Sequence, residues 1–384
     1  MKTGFFIIFI SIVLLVHGLV NYYIYARGVQ AFQLFPKSKL IFQIGFIVLA
    51  LSYIIGRVLE RAAPGIFSQI FVYIGSYWFA AMLYFFLLIM FVDLIRVFNY
   101  FVPFYPGFIA NSILKTKVII GFASFAIVGM IITIGYFNAK NTKIKTINLK
   151  IAKHSEQFKN LNIVVASDIH LGTIIGKSQL LNLVNLINNL KPDIVLFAGD
   201  VVDEDIRAVI EQDLGNLLLQ IKSKYGVFAI TGNHEYIGGV EEACKYLSAH
   251  NVQMIRDTII KVGDIYIAGR EDKDIVRHTG KSRKTVKELL EGIDKTKPII
   301  LMDHQPFDFT SAVEENVDLQ LSGHTHSGQL FPFNFVTGKM FEEDWGFLKK
   351  GNTNFYVSCG FGTWGPPIRI GSHSEIVNFK IEFL

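Results

Sequence analysis

Cysteine is scarce in this 384-residue chain: there are two, Cys244 and Cys359, in unrelated contexts and without C-x-x-C spacing. That excludes a disulfide framework and a thiolate zinc site, and both read as small buried side chains. Acidic residues are nearly missing from the first third. Residues 1–139 hold two of the 32, Glu60 and Asp93, against nine of the 37 Lys and Arg, a local net charge of +7. The remaining 28 basic and 30 acidic residues give −2, so the basic balance belongs to residues that flank apolar runs. No cationic nucleic-acid-binding surface is indicated. Internal repeats and low-complexity stretches are lacking too, and no A-x-A-like cleavage site follows the first apolar run, which is longer than a signal-peptide core and reads as retained.

What is present falls into two parts that divide near residue 140. Four apolar segments, roughly 4–26, 40–57, 66–92 and 115–137, have lengths near the twenty or so helical residues that cross a hydrocarbon core. Charges gather between them, at Arg27, Lys37 and Lys39, at Arg57, Glu60 and Arg61, at Asp93 and Arg96, and at Lys115 and Lys117. Tyr22, Tyr23, Tyr25, Tyr100 and Tyr105 stand at segment ends, where an apolar ring with a polar tip suits a headgroup boundary. The expectation is a multi-pass integral membrane protein, with a four-helix anchor over 1–139 and the lipid bilayer as partner. His17, Asn21 and Gln43 lie inside the segments, where the favoured reading is hydrogen bonding between helices rather than a functional cavity. Lys and Arg near the segment ends divide six against six between the two faces, so charge does not choose the side of the second part.

From about 145 to 384 short β-branched runs alternate with helical stretches, the pattern of layered α/β structure. The runs predict main strands at 162–166, 193–197, 226–230, 298–302 and 317–321, smaller ones at 253–255, 258–262 and 265–268, and amphipathic helices at 177–190 and 205–222. Each main strand runs into polar residues: Asp168-Ile169-His170, Gly199-Asp200-Val201-Val202-Asp203, Gly232-Asn233-His234-Glu235, Asp303-His304-Gln305 and Gly323-His324-Thr325-His326. An open α/β sheet places its ligands at strand ends. Carboxylate, amide and imidazole donors suit divalent ions such as Mn, Fe or Zn. Read as extended segments, the D-x-H and H-x-H steps each send two side chains to one side, so that Asp168 with His170, and His324 with His326, can grip one ion. Any one of these pieces arises by chance, but five at successive strand ends point to a metal site.

These motifs, in this order, resemble the calcineurin-like metallophosphoesterases, and the preceding helices resemble a membrane-anchored bacterial branch of that superfamily. The resemblance implies an α/β sandwich of two β-sheets flanked by helices, preceded by an α-helical transmembrane domain. It implies two divalent metal ions, one held by Asp168, His170 and His326, the other by Asn233, His304 and His324, with Asp200 bridging. His234 would face the phosphate as a general acid or charge stabiliser, and Asp203 would support the ligands. Such a pair of ions turns a water into hydroxide near neutral pH and clamps the attacking and leaving oxygens at phosphorus. The expected function is hydrolysis of a phosphate ester or pyrophosphate, with a phosphorylated lipid or lipid-linked substrate leading because a tethered enzyme meets headgroups at high effective concentration. The alternative is a non-catalytic sensor or scaffold that binds a phosphoryl ligand. Arg270 and Arg369 read as phosphate binders or, at least as readily, as salt-bridged or solvated side chains. Phe331, Phe333, Phe335, Phe341, Trp345 and Phe347 follow the last motif and either receive an acyl chain or dip into the membrane interface, or pack within the second sheet.

Overall fold

The computed structural model describes residues 3–63 and 65–384, which form two compact units, 1–136 and 137–384. Among the described residues of the first unit, four helices are long and apolar enough to cross a bilayer: Ile10–Ala31 of a helix that begins at Thr3, then Pro36–Ala62, Ile66–Phe101 and Ile113–Lys140. The last of these continues into the second unit. The protein is an integral membrane protein, and most side chains on these helices are apolar and exposed, as lipid requires.

Helix association in lipid depends on close packing and on satisfied polar groups, and this sequence supplies both. A Cβ at Gly75 would strike the backbone of Tyr53, and one at Gly56 the backbone of Val72, so these glycines allow two helices to touch. The polar residues inside the segments bond between helices. His17 Nε2 lies 3.0 Å from the Ala50 carbonyl, Trp78 donates to Asn21 Oδ1 at 2.9 Å, and Gln43 donates to the Tyr25 hydroxyl at 2.7 Å.

The second unit is a sandwich of two mixed six-stranded sheets. Its strands are β1 (Lys143–Ile151), β2 (Asn160–Ala166), β3 (Ile194–Phe197), β4 (Val227–Ala229), β5 (Gln253–Met254), β6 (Thr258–Val262), β7 (Ile265–Gly269), β8 (Ile299–Met302), β9 (Leu319–Ser322), β10 (Gly346–Lys350), β11 (Thr353–Val357) and β12 (Glu375–Phe383). One sheet has the order β1-β12-β2-β3-β4-β5 and the other β10-β11-β9-β8-β7-β6. In the first, β2 to β5 are parallel; in the second, β7, β8, β9 and β11 are parallel. Parallel strands buried on both faces read as continuous apolar runs, as β3 and β8 do.

The core lies between the sheets, where Ile163, Val165, Leu196 and Phe228 meet Ile267, Ile300, Met302 and Leu321. Outside the first sheet the helix Lys177–Leu190 buries Leu180, Leu183, Val184 and Ile187, an i, i+3, i+4, i+7 stripe. Each such burial contributes about 1.5–3 kcal/mol. Phe309 and Leu290 cover the outer face of the second sheet. One helix expectation is corrected. The stretch 205–222 is two short helices, Ile206–Glu211 and Gly215–Leu218, because Asp213 between them takes a left-handed φ of 55° and ends the first. β1 and β12, a parallel pair more than two hundred residues apart in sequence, were not among the predicted strands.

Candidate metal centre

Parallel strands share one carboxyl edge, and the loops leaving β2, β3, β4, β8 and β9 there bring the sequence-predicted residues together. Asp168, His170 and His326 offer ligand atoms within 4.8 Å of one another, and so do Asp200, His304 and His324. Asn233 Oδ1 lies 2.8 Å from His324 Nδ1. Asp200 Oδ2 stands between the groups, 3.1 Å from His304 Nε2 and 3.9 Å from His170 Nε2. Asp168, His170, Asp200, His304 and His326 are buried; Asn233 and His324 are half-buried.

The D-x-H and H-x-H steps are not extended, which corrects the sequence expectation. Asp168, His170, Asp200, His324 and His326 all take left-handed φ, between 49° and 73°. That conformation costs a non-glycine residue about 1–2 kcal/mol. The chain keeps its hydrogen bonds through the kinks: Asp168 N–H donates to the Gly199 carbonyl at 3.0 Å, and His170 N–H to that of Asp200 at 3.0 Å. The Asp168 carboxylate accepts from His324 N–H at 2.9 Å, tying the first motif to the last. Strain gathered at donor positions and held by such bonds is a mark of a functional site.

Small residues create the space. A Cβ at Gly232 would meet Asp200, and one at Gly323 would meet Asp168 and Ser167. Glu235, to which the sequence reading gave no role, braces the site from behind by accepting N–H groups of Gly232 at 2.7 Å, Val202 at 2.9 Å and Asp200 at 3.2 Å. Its position as the third residue of the helix Asn233–Gly238 was the available signal.

The donor set fits cations. His304 Nδ1 lies 2.8 Å from the Ala198 carbonyl, so Nδ1 carries the hydrogen and Nε2 directs its lone pair at the Asp200 carboxylate. His170 Nε2 and His326 Nε2 face each other at 3.1 Å. Acceptors this close need a proton or a cation between them. Burial opposes charging of His304, but Asp200, Asp168 and Asp272 outweigh it and hold the imidazole well above its ordinary value, so the carboxylates draw positive charge, as a proton or as a cation, to Nε2. Burial, with His170 and Arg369, holds His326 well below its own ordinary value, in the neutral form that a ligand requires.

His234 stands beside the donors: its ring centroid is 4.5 Å from that of His170, and with His170 and Asp203 it offers ligand atoms within 4.8 Å of one another. Its Nδ1 lies 3.0 Å from Asp203 Oδ1, and its ring is 6.4 Å, centroid to centroid, from the exposed Trp364. Burial disfavours the imidazolium, but Asp200, Asp203 and Glu204 outweigh burial and push the group up to about 9. Neither arginine of interest faces a substrate space. Arg270 is buried and pairs with Asp303 at 2.6 Å. Arg369 is fully buried behind His326 and donates to the Gly360 and Gly362 carbonyls at 3.1 and 2.6 Å. The aromatic stretch divides: Phe341 is buried beside Phe307, whereas Phe331, Phe333, Phe335 and Phe347 are exposed.

Two sheets that close on a ring of carboxylate, amide and imidazole donors define a metal-binding α/β sandwich. Comparison with known proteins gives the family. Residues 161–328 match the calcineurin-like phosphoesterase family model. A metallophosphoesterase of Campylobacter jejuni is 31% identical over 98% of this chain and 99% of its own length. One from Helicobacter pylori is 35% identical over 58% of this chain, a stretch that spans 60% of that relative. A zebrafish (Danio rerio) transmembrane protein with metallophosphoesterase domain is 32% identical over 64% of this chain and 58% of its own length. The chain belongs to the calcineurin-like metallophosphoesterases, a superfamily of metal-dependent phosphoester hydrolases.

Proposed function

We propose that this protein is a membrane-anchored dimetal phosphoesterase that hydrolyses a phosphate ester or pyrophosphate of a lipid or lipid-linked substrate. The observation that carries the proposal is the convergence of seven donors in two groups with Asp200 between them. Asp168, His170 and His326 would hold one divalent ion and Asn233, His304 and His324 the other, with Asp200 shared between them. Bound there, Mn, Fe or Zn ions supply charge neutralisation at the phosphate oxygens and acidify a water.

The chain's own residues supply the rest. Asp203 holds the His234 ring through Nδ1, which leaves Nε2 to donate a proton to the leaving oxygen. In its charged form His234 also offsets charge developing on the phosphoryl oxygens. A phosphoryl-binding sensor has no use for this aspartate-supported acid, which favours catalysis over the scaffold reading.

The lipid reading is supported by apolar side chains beside the last metal motif. Phe331, Phe333, Phe335, Val336 and Met340 are all exposed within ten residues of chain that begins soon after His326. A cluster of this kind on a protein already in the membrane suits an acyl chain or the bilayer interface. The test is turnover by full-length purified protein supplemented with Mn, using a phospholipid, a lipid pyrophosphate and a soluble aryl phosphate. A higher kcat/KM for the lipid substrates is expected, and equal values would remove the lipid preference.

A further inference from the structure

We propose that the helical unit carries a lipid site of its own, separate from the metal centre, which seats one membrane lipid with an anionic phosphate headgroup. The site is a cavity of about 830 Å³ within residues 24–125. That size falls in the range of ligand pockets, about 300–1,000 Å³. Phe42, Phe46, Leu49, Phe85, Ile89 and Phe125 give most of it an apolar wall suited to an acyl chain. Gly45 on that wall leaves real space, since a Cβ there would meet nothing within 4 Å.

The charges stand together at one end. Arg27 is near the end of the first helix, Asp93 and Arg96 are near the end of Ile66–Phe101, and Lys117 is near the start of Ile113–Lys140; all four line the cavity. Asp93 serves both arginines, pairing with Arg27 at 2.6 Å and Arg96 at 3.1 Å. Lys117 has no carboxylate partner among the described residues. Three cations against one carboxylate leave the lining with two uncompensated positive charges. The connecting segment after Phe101 is held in place by Asn99, whose Oδ1 accepts from Phe104 N–H at 3.0 Å and Tyr105 N–H at 2.8 Å, and it adds Pro103, Tyr105 and Ile109 to this end.

Positive charge beside an apolar chamber selects the occupant. A zwitterionic lipid brings no net charge to match it, and free phosphate makes no use of the chamber. An anionic lipid satisfies both halves, each cation near a headgroup being worth on the order of 1 kcal/mol. The site needs no catalytic turnover, so the inference stands whether or not the metal centre acts on lipid.

The experiment is native mass spectrometry of the full-length protein, exchanged into phosphatidylglycerol or phosphatidylcholine with matched acyl chains. One phosphatidylglycerol should survive activation that strips phosphatidylcholine. Lys117→Gln should weaken its retention about fivefold, and Lys117→Gln with Arg96→Gln further, at about fivefold for each cation. Gly45→Leu should abolish retention by filling the chamber. Thermal unfolding of each variant identifies any that fails to fold, and the conservative single change Lys117→Gln then decides. Equal retention of the two lipids by the unaltered protein would mean an unselective lipid annulus and overturn the proposal. So would undiminished phosphatidylglycerol in folded Lys117→Gln, or displacement of the lipid by millimolar inorganic phosphate.

Discussion

Asp203 Oδ1 lies 3.0 Å from His234 Nδ1, and the same oxygen is 3.6 Å from His170 Nδ1. One carboxylate thus orients both the proposed acid and a proposed metal ligand. The two imidazoles beside it overcome the burial that opposes its ionisation and hold it well below the usual carboxylate range.

The leaving group distinguishes the acid's role from ligation. General acid catalysis contributes typically about 10²–10⁴-fold. His234→Asn is expected to reduce kcat by about that factor for alkyl phosphates and far less for p-nitrophenyl phosphate, whose leaving oxygen needs no proton. Asp203→Asn should follow the same trend more weakly, with an added loss of metal affinity through His170. Rates across a series of leaving groups provide the check; a uniform loss would mean that His234 does not protonate the leaving oxygen.

Metal removal tests the seven donors as a set. A ligand that binds only the folded state adds RT ln(1 + [L]/Kd), about 4 kcal/mol at a thousandfold excess over Kd. Chelation should therefore lower the unfolding temperature, and Mn or Zn should restore it, with elemental analysis giving two ions per chain. Asp200→Asn should lose most of the restoration, since both proposed ions depend on that carboxylate. An unchanged melting curve with chelator and no bound metal would remove the dimetal reading.

Gly232 and Gly338 make a matched pair. A Cβ at Gly232 would meet Asp200 Oδ1, Asp200 N and Asp200 Cγ, whereas one at Gly338, in the helix Asn334–Met340, would meet nothing within 4 Å. Gly232→Ala is expected to displace the bridging carboxylate and lower metal occupancy. Gly338→Ala should stabilise by roughly 0.5–1 kcal/mol through helix propensity and lower unfolded-state entropy. Denaturant unfolding and metal analysis on the two proteins distinguish a steric role for Gly232 from a general cost of replacing glycine.

Much of this architecture was legible in the sequence, for physical reasons. Buried parallel strands must be apolar, and polar donors placed just after them interrupt that pattern visibly, as at Asp168 after β2 and His324 after β9. Other features left weaker traces. Left-handed φ at Asp168 and His170 cannot be read from residue type, because both residues also adopt extended conformations. β1 was not among the predicted strands; its partner β12 lies at the other end of the unit, and local pattern does not reveal such a pairing. Arg369 carried no sequence sign that its guanidinium would be consumed by the Gly360 and Gly362 carbonyls, because local spacing does not tell a buried arginine from a phosphate binder.

The exposed apolar residues after the last metal motif give the lipid reading its sharpest consequence. Phe333, Phe335 and Met340 are 46%, 61% and 63% exposed, so replacing them removes little packing within the unit. Surface substitutions of this kind usually change stability by less than about 0.5 kcal/mol. The triple change Phe333→Ser, Phe335→Ser, Met340→Ser should therefore leave the unfolding temperature and p-nitrophenyl phosphate turnover close to those of the unaltered protein. Apolar contact is worth about 25 cal/mol per Å² removed from water, so three such side chains engaging an acyl chain or the bilayer should matter. The expected result is a drop of at least tenfold in kcat/KM for a vesicle-borne phospholipid, carried mainly by KM. An equal fall on soluble and vesicle substrates would mean that these residues support the metal centre, and no fall on either would leave the patch without a role in substrate capture.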